Sequence, residues 1–168
     1  MTTLSIDIRR AEPIDAKAIA HVHDAAWRNA YAGLIPHRAL NGMISRRGER
    51  WWGDAIRRAA TVLVAEVGGS VAGYATLGRN RARELPQAGE IYELYLAPEC
   101  QGIGLGRRLF REARLRLEGN GLKGLVVWAL EDNGGAVSFY RNAGGRDVAE
   151  GVEVFDGQAL RKLAFVWE

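Results

Sequence analysis

Gln101-Gly102-Ile103-Gly104-Leu105-Gly106, with Arg107 and Arg108 directly behind it, is the stretch of this 168-residue chain best equipped to hold an anion. Glycine accepts positive φ, and without a Cβ it lets a ligand approach the backbone closely. If a helix starts there, the N–H groups of its first turn lack partners inside it, and the helix dipole adds partial positive charge. That combination suits a phosphate or diphosphate. A second set of candidates lies downstream. Asn133 and Tyr140 are seven positions apart, two helical turns, so on a helix they share a face. Two carboxylates, Glu90 and Glu93, precede the glycines. Their odd separation on a strand puts them on opposite faces unless a bulge intervenes, and Tyr92 shares the face of Glu90. His21 and His23 are two apart and point in different directions on a helix, which suits solvent or packing roles. Cys100 reads as a turn residue.

The elements that must position these groups are legible from periodicity. Ile91–Leu96 is β-branched and aromatic, and Pro98 closes it as a strand. Leu105, Leu109, Ala113 and Leu117 recur every four residues, with arginines filling the other face of a helix that stops at Gly119-Asn120-Gly121. Upstream, Leu4–Arg10 alternates as a half-buried strand, and Glu12-Pro13 opens a first helix running to about Trp27. Gly33–Pro36 is a break. His37–Arg58 is helical with interruptions around Gly42 and Gly48, and Val62–Val67 and Val71–Leu77 form a hairpin through Gly68-Gly69-Ser70. After a basic loop, Arg79–Gln87, and the glycine turn comes Leu125–Leu130, a continuous apolar strand suited to the middle of a sheet. A short helix from Asn133 ends at Gly144-Gly145, and Val148–Phe155 and Leu160–Trp167 close the chain as an antiparallel pair.

Composition narrows the class. The chain has the length of one domain, residues 1–168, and no apolar run approaches the roughly 20 residues of a membrane span. MTTLSIDIRR lacks a basic-then-apolar leader, so a cytoplasmic protein is expected, with no membrane partner. One cysteine allows no internal disulfide, and no Cys/His cluster suggests a metal. The net charge of +3 suits an anionic ligand without requiring nucleic acid. The glycine spacing G-x-G-x-G departs from the G-x-G-x-x-G of dinucleotide-binding folds, and no Gly-Lys-Ser/Thr follows as a Walker A loop needs.

Gln101-x-x-Gly104-x-Gly106, after Leu94-Tyr95-Leu96 and a Pro-Glu turn, closely resembles the acyl-CoA motif of the GNAT superfamily of N-acetyltransferases. Asn133-x-x-Ala136-x-x-Phe139-Tyr140-x-x-Ala143-Gly144 resembles its second motif, and Ala26-Trp27-Arg28 through Tyr31–Pro36 resembles bacterial members of unassigned substrate. The resemblance implies a single-domain α/β fold with a mixed, mostly antiparallel sheet splayed at the acyl-CoA site and flanked by helices. It implies direct transfer of an acetyl group from acetyl-CoA to a primary amine, with a small molecule or peptide as acceptor, by a monomer or homodimer without metal. Backbone N–H groups of Gly102, Ile103, Gly104, Leu105, Gly106 and Arg107 would face the diphosphate, beside Gln101. The main chain of Leu94, Tyr95 and Leu96 would pair with the pantetheine arm, and Asn133 would also bind it. Tyr140 would sit near the sulfur as general acid, and Glu90 or Glu93 would be the base. The first two helices would border the acceptor pocket, so some of Trp27, Tyr31, Trp51 and Trp52 would contact substrate, core packing being the commoner use of tryptophan at helical spacing. Gly145 stands where the family usually has an aromatic, which predicts thinner apolar packing there. Two rival readings keep the fold: an acyl-CoA-binding regulatory module without turnover, and an acetyltransferase acting on an aminoacyl-tRNA.

Overall fold

Strands of alternating or continuous apolar residues assemble into one seven-stranded sheet. In the computed structural model, which describes residues 4–168, these are β1 (Ile6–Arg10), β2 (Thr61–Val67), β3 (Ser70–Arg79), β4 (Gly89–Leu96), β5 (Leu125–Leu130), β6 (Arg146–Phe155) and β7 (Gln158–Trp167). Their order is β1-β2-β3-β4-β5-β7-β6. Every neighbouring pair is antiparallel except β4–β5. The helices α1 (Ala16–Tyr31), α2 (His37–Arg46) and α3 (Glu49–Arg57) cover one face, while α4 (Leu105–Gly119) and α5 (Gly134–Asn142) cover the other. The expected mixed α/β architecture is the one observed. Boundaries moved where local rules compete. A 3-10 turn at Pro13–Asp15 delays α1 to Ala16, and Gly42 lies inside α2 rather than breaking it.

Two irregularities open the sheet. β4 and β5 pair only at Gly89–Leu125 and Glu90–Val126, so from Ile91 onward the β5-facing edge of β4 has no strand beside it. On the other side, β3 opposes Leu77 to Ile91 but Thr76 to Glu93, leaving Tyr92 as an extra residue. Such a bulge resets the alternation of side chains. Before it, Ile91 faces the core under α4; after it, Leu94 and Leu96 do, and Tyr95 faces α1. Glu90, Tyr92, Glu93 and Tyr95 therefore all face the α1–α2 side.

The thin packing expected at Gly145 is absent. A Cβ there would lie 2.6 Å from Cζ2 of Trp167, whose indole fills the space an aromatic at 145 would take. Trp167 Nε1 donates to the Ala143 carbonyl at 3.0 Å, which fixes the ring against the end of α5.

Candidate active site

The glycine turn is shaped by backbone geometry more than by side chains. Gly102 and Gly104 have φ of +80° and +82°, which side-chain-bearing residues rarely adopt. A Cβ at either would meet nothing within 4 Å, so conformation rather than crowding selects glycine there. Gly106 answers a different constraint, since its Cβ would come 3.2 Å from the Phe139 ring, where α4 passes close to α5. Gly104 caps α4 without a side-chain bond, and the N–H groups of residues 102–107 find no acceptor among the described residues. Six donors at a helix N-terminus, beside Arg107, fit a diphosphate. Ile103 points its side chain into solvent and Leu105 is fully buried, so each can offer only its backbone.

These amides close one end of a cavity of about 730 Å³. Along it lie Leu94, Tyr95 and Leu96 from the open edge of β4, with Gln101, Asn133 and Tyr140 beyond. The splay thus brings together the groups expected to hold an acyl-CoA. Sequence reasoning missed the far wall from α1, Ala26 and Ala30, whose small size leaves room beside β4 but is indistinguishable in sequence from ordinary helix packing.

Asn133 differs from expectation in its geometry. It is the N-cap of α5, with Oδ1 accepting from the Ala136 N–H at 3.3 Å, so it does not share a helix face with Tyr140 but reaches the same cavity from the helix end. Its carbonyl is engaged by the cap, which leaves the amide NH₂ to donate. The Tyr140 ring is buried against Phe110, Phe139, Phe165 and Trp167, and its hydroxyl bonds no other described residue. Burial, with a smaller effect from Tyr31, pushes the phenol well above its ordinary pKa and keeps it protonated.

The two carboxylates part company. Glu90 is 2% exposed and fully engaged: Oε1 accepts from the Arg81 N–H at 2.9 Å and Oε2 from its guanidinium at 2.9 Å. It anchors the loop between β3 and β4, and neither of its oxygens is left without a partner. Glu93, brought to the same face by the bulge, pairs through Oε1 with Arg47 at the α2–α3 junction. Its Oε2 is buried without a partner among the described residues. Burial raises its pKa, and Arg47 opposes that shift. Arg47 also lies 4.6 Å from the Trp51 ring centroid and 5.9 Å from that of Trp27. No local pattern marked Arg47; it reaches Glu93 across 46 positions of sequence.

Behind Glu93 is a packed aromatic group. Tyr31 and Tyr95 share a hydroxyl–hydroxyl bond of 2.5 Å, while Trp52 and Tyr74 are fully buried. His23, also fully buried, shares a 2.8 Å bond with the Tyr74 hydroxyl, in keeping with a packing role. Burial above all, with the positive charge of Arg47, lowers its pKa to about 4. The folded state therefore takes up this proton later than the unfolded chain does, and stability present above the ordinary imidazole value is lost as pH falls towards 4. Chemical denaturation should show a loss approaching about 3 kcal/mol by acidic pH. A His23→Gln variant, still able to bond Tyr74, should lose most of that slope. A slope unchanged by the substitution would contradict this source.

A model of the Acetyltransferase (GNAT) family matches residues 19–144, three quarters of the chain. The chain belongs to the GNAT family. It is an acyltransferase dependent on acetyl-CoA. This acetyltransferase is 32% identical over 162 residues to the uncharacterized N-acetyltransferase YuaI of Bacillus subtilis, covering 96% of this chain and 92% of that one. Its fold is similar to that of the PaiA N-acetyltransferase from Thermoplasma acidophilum, solved in complex with coenzyme A (TM-score 0.76, 22% identity, 95% and 98% of the two chains). It is also similar to a ribosomal-protein-alanine N-acetyltransferase from Brucella melitensis (TM-score 0.71, 24% identity, 96% and 98%). Among the described residues no helix is long and apolar enough to cross a membrane, and no group of three or more His, Cys, Asp or Glu could hold a metal.

Proposed function

We propose that this acetyltransferase moves the acetyl group of acetyl-CoA directly onto a primary amine, with Glu93 as base and Tyr140 as acid. The observation that carries the reading is the continuity of one cavity from the unpartnered amides of residues 102–107 to Tyr140. The glycine-turn amides and Arg107 hold the diphosphate. The open edge of β4 at Leu94–Leu96 takes the pantetheine arm as an added strand, with Asn133 donating to it. A β4 amide beside the thioester carbonyl would stabilise charge developing on its oxygen.

Two protons must move. The amine nitrogen attacks the thioester carbon, the new N–C bond replaces the C–S bond, and the nitrogen's surplus proton passes to Glu93, directly or through one water. The departing sulfur receives its proton from the Tyr140 hydroxyl. A thiol has a pKa of about 8.5, so its anion leaves almost unaided near neutral pH, and the acid contributes modestly. Tyr140→Phe should lower kcat about tenfold, below the usual 10²–10⁴ range for acid–base groups, while the affinity for CoA stays within about twofold. The measurement is release of free thiol from acetyl-CoA across a panel of primary amines, with calorimetry for CoA. Equal turnover in the variant would remove the acid role. CoA binding without thiol release from any amine would favour a regulatory module instead.

A further inference from the structure

On the α1–α2 side, where β4 and β5 begin to part, a second cavity of about 200 Å³ opens to solvent. Its walls are aromatic: Trp27 and Tyr31 from α1, Tyr92 at the bulge, Trp128 from β5 and Phe155 from β6. The cations at its rim are already committed. Arg81 is bound to Glu90 and lies 4.1 Å from the Tyr92 ring centroid. Lys162 is bound to Glu153 at 2.6 Å and lies 4.7 Å from that of Trp128. Neither leaves an unmatched charge for a second ionic group on a ligand. The buried side-chain atoms without partners among the described residues include Trp27 Nε1, from a residue in this lining, and Glu93 Oε2, one residue beyond Tyr92 on the same face but not itself in the lining. Tyr31 stands between the two cavities: it lines this one, and its hydroxyl bonds Tyr95, which lines the donor cavity.

A single amino group would satisfy the free oxygen of Glu93, directly or through one water, and leave the rest of the molecule against the rings. A second charge would be desolvated against them without an unpaired partner of opposite sign. The volume lies below the 300–1,000 Å³ of sites for drug-sized ligands, which limits the body to about one ring and a short arm. We infer that the acceptor is a small primary amine carried on a flat apolar body, of the arylalkylamine class, seated between Trp27, Tyr92 and Trp128. The inference rests on the amine-transfer reading of the same centre. An amino acid, a polyamine or an amino sugar would each bring charges or hydroxyls that these walls do not match.

The test is thiol release from acetyl-CoA with phenethylamine, set against glycine, spermidine and glucosamine. Phenethylamine should give the highest kcat/KM, at least about tenfold above the others, the scale of one ring contact well packed against aromatic walls. Trp128→Ala should raise the KM for phenethylamine by about tenfold, with kcat and CoA affinity nearly unchanged. Preference for any of the other three amines, with CoA still bound, would overturn the acceptor class and leave acetyl transfer standing. So would an unchanged KM in the Trp128 variant. Silence from all four amines would overturn both the class and the transfer reading beneath it.

Discussion

Gly104→Val should reduce the affinity for CoA at least about 100-fold while the protein stays folded. Gly104 sits at φ +82° directly before α4, and a β-branched residue is a poor occupant of that conformation, costing about 1–3 kcal/mol. Its Cβ would meet nothing within 4 Å, so no core contact is crowded and the fold survives. The turn relieves the strain by relaxing, and the amides of residues 102–107 no longer converge. Hydrogen bonds to charged groups contribute about 1.5–3 kcal/mol each, so losing two of them gives the stated loss at about 1.4 kcal/mol per decade. Calorimetric titration of CoA into the variant is the check. An affinity within about threefold of the parent would mean that the diphosphate sits elsewhere.

Glu93→Gln should lower kcat/KM by about 100-fold and remove the acidic limb of its pH profile. An aliphatic amine with a pKa of about 10 is almost wholly protonated near neutrality, so deprotonation weighs more on this reaction than protonating the sulfur. Glutamine keeps the carboxylate's shape and can still accept from Arg47, which is partly solvent-exposed and tolerates loss of its counter-charge better than a buried group. The sign follows from burial: Glu93 titrates above an ordinary glutamate, so activity should climb with pH through that raised value as the carboxylate ionises. Arg47 opposes the shift, and Arg81, Tyr74, Tyr31 and Tyr95 are the other titratable groups facing it. Rates against pH for parent and variant, with one amine, decide it. A limb that persists in Glu93→Gln would assign the base to another group.

The parts of the site that were legible in the sequence are those built from contiguous residues. A glycine turn between a strand and an amphipathic helix announces itself through φ requirements and a four-residue apolar repeat, and Gly102, Gly104, Leu105 and Leu109 occupy the places those rules assign. The parts that were not legible depend on register between distant strands. Whether Glu90 or Glu93 is free turns on the single extra residue at Tyr92, which exists only because of how β3 pairs with β4. Arg47, Trp128 and Phe155 reach the α1–α2 side of the sheet from three separate stretches of chain, so no window of sequence contains them together. Gly145 is the converse case. Its local departure from the family pattern suggested a gap, and Trp167, 22 positions on, fills it.

The most direct measurement is a crystal structure of the protein grown with CoA. Diphosphate oxygens should lie within hydrogen-bonding distance of the backbone N–H groups of residues 102–107, with the pantetheine arm running along Leu94–Leu96 towards Tyr140. A diphosphate bound away from the turn, with those amides facing only solvent, would contradict that placement.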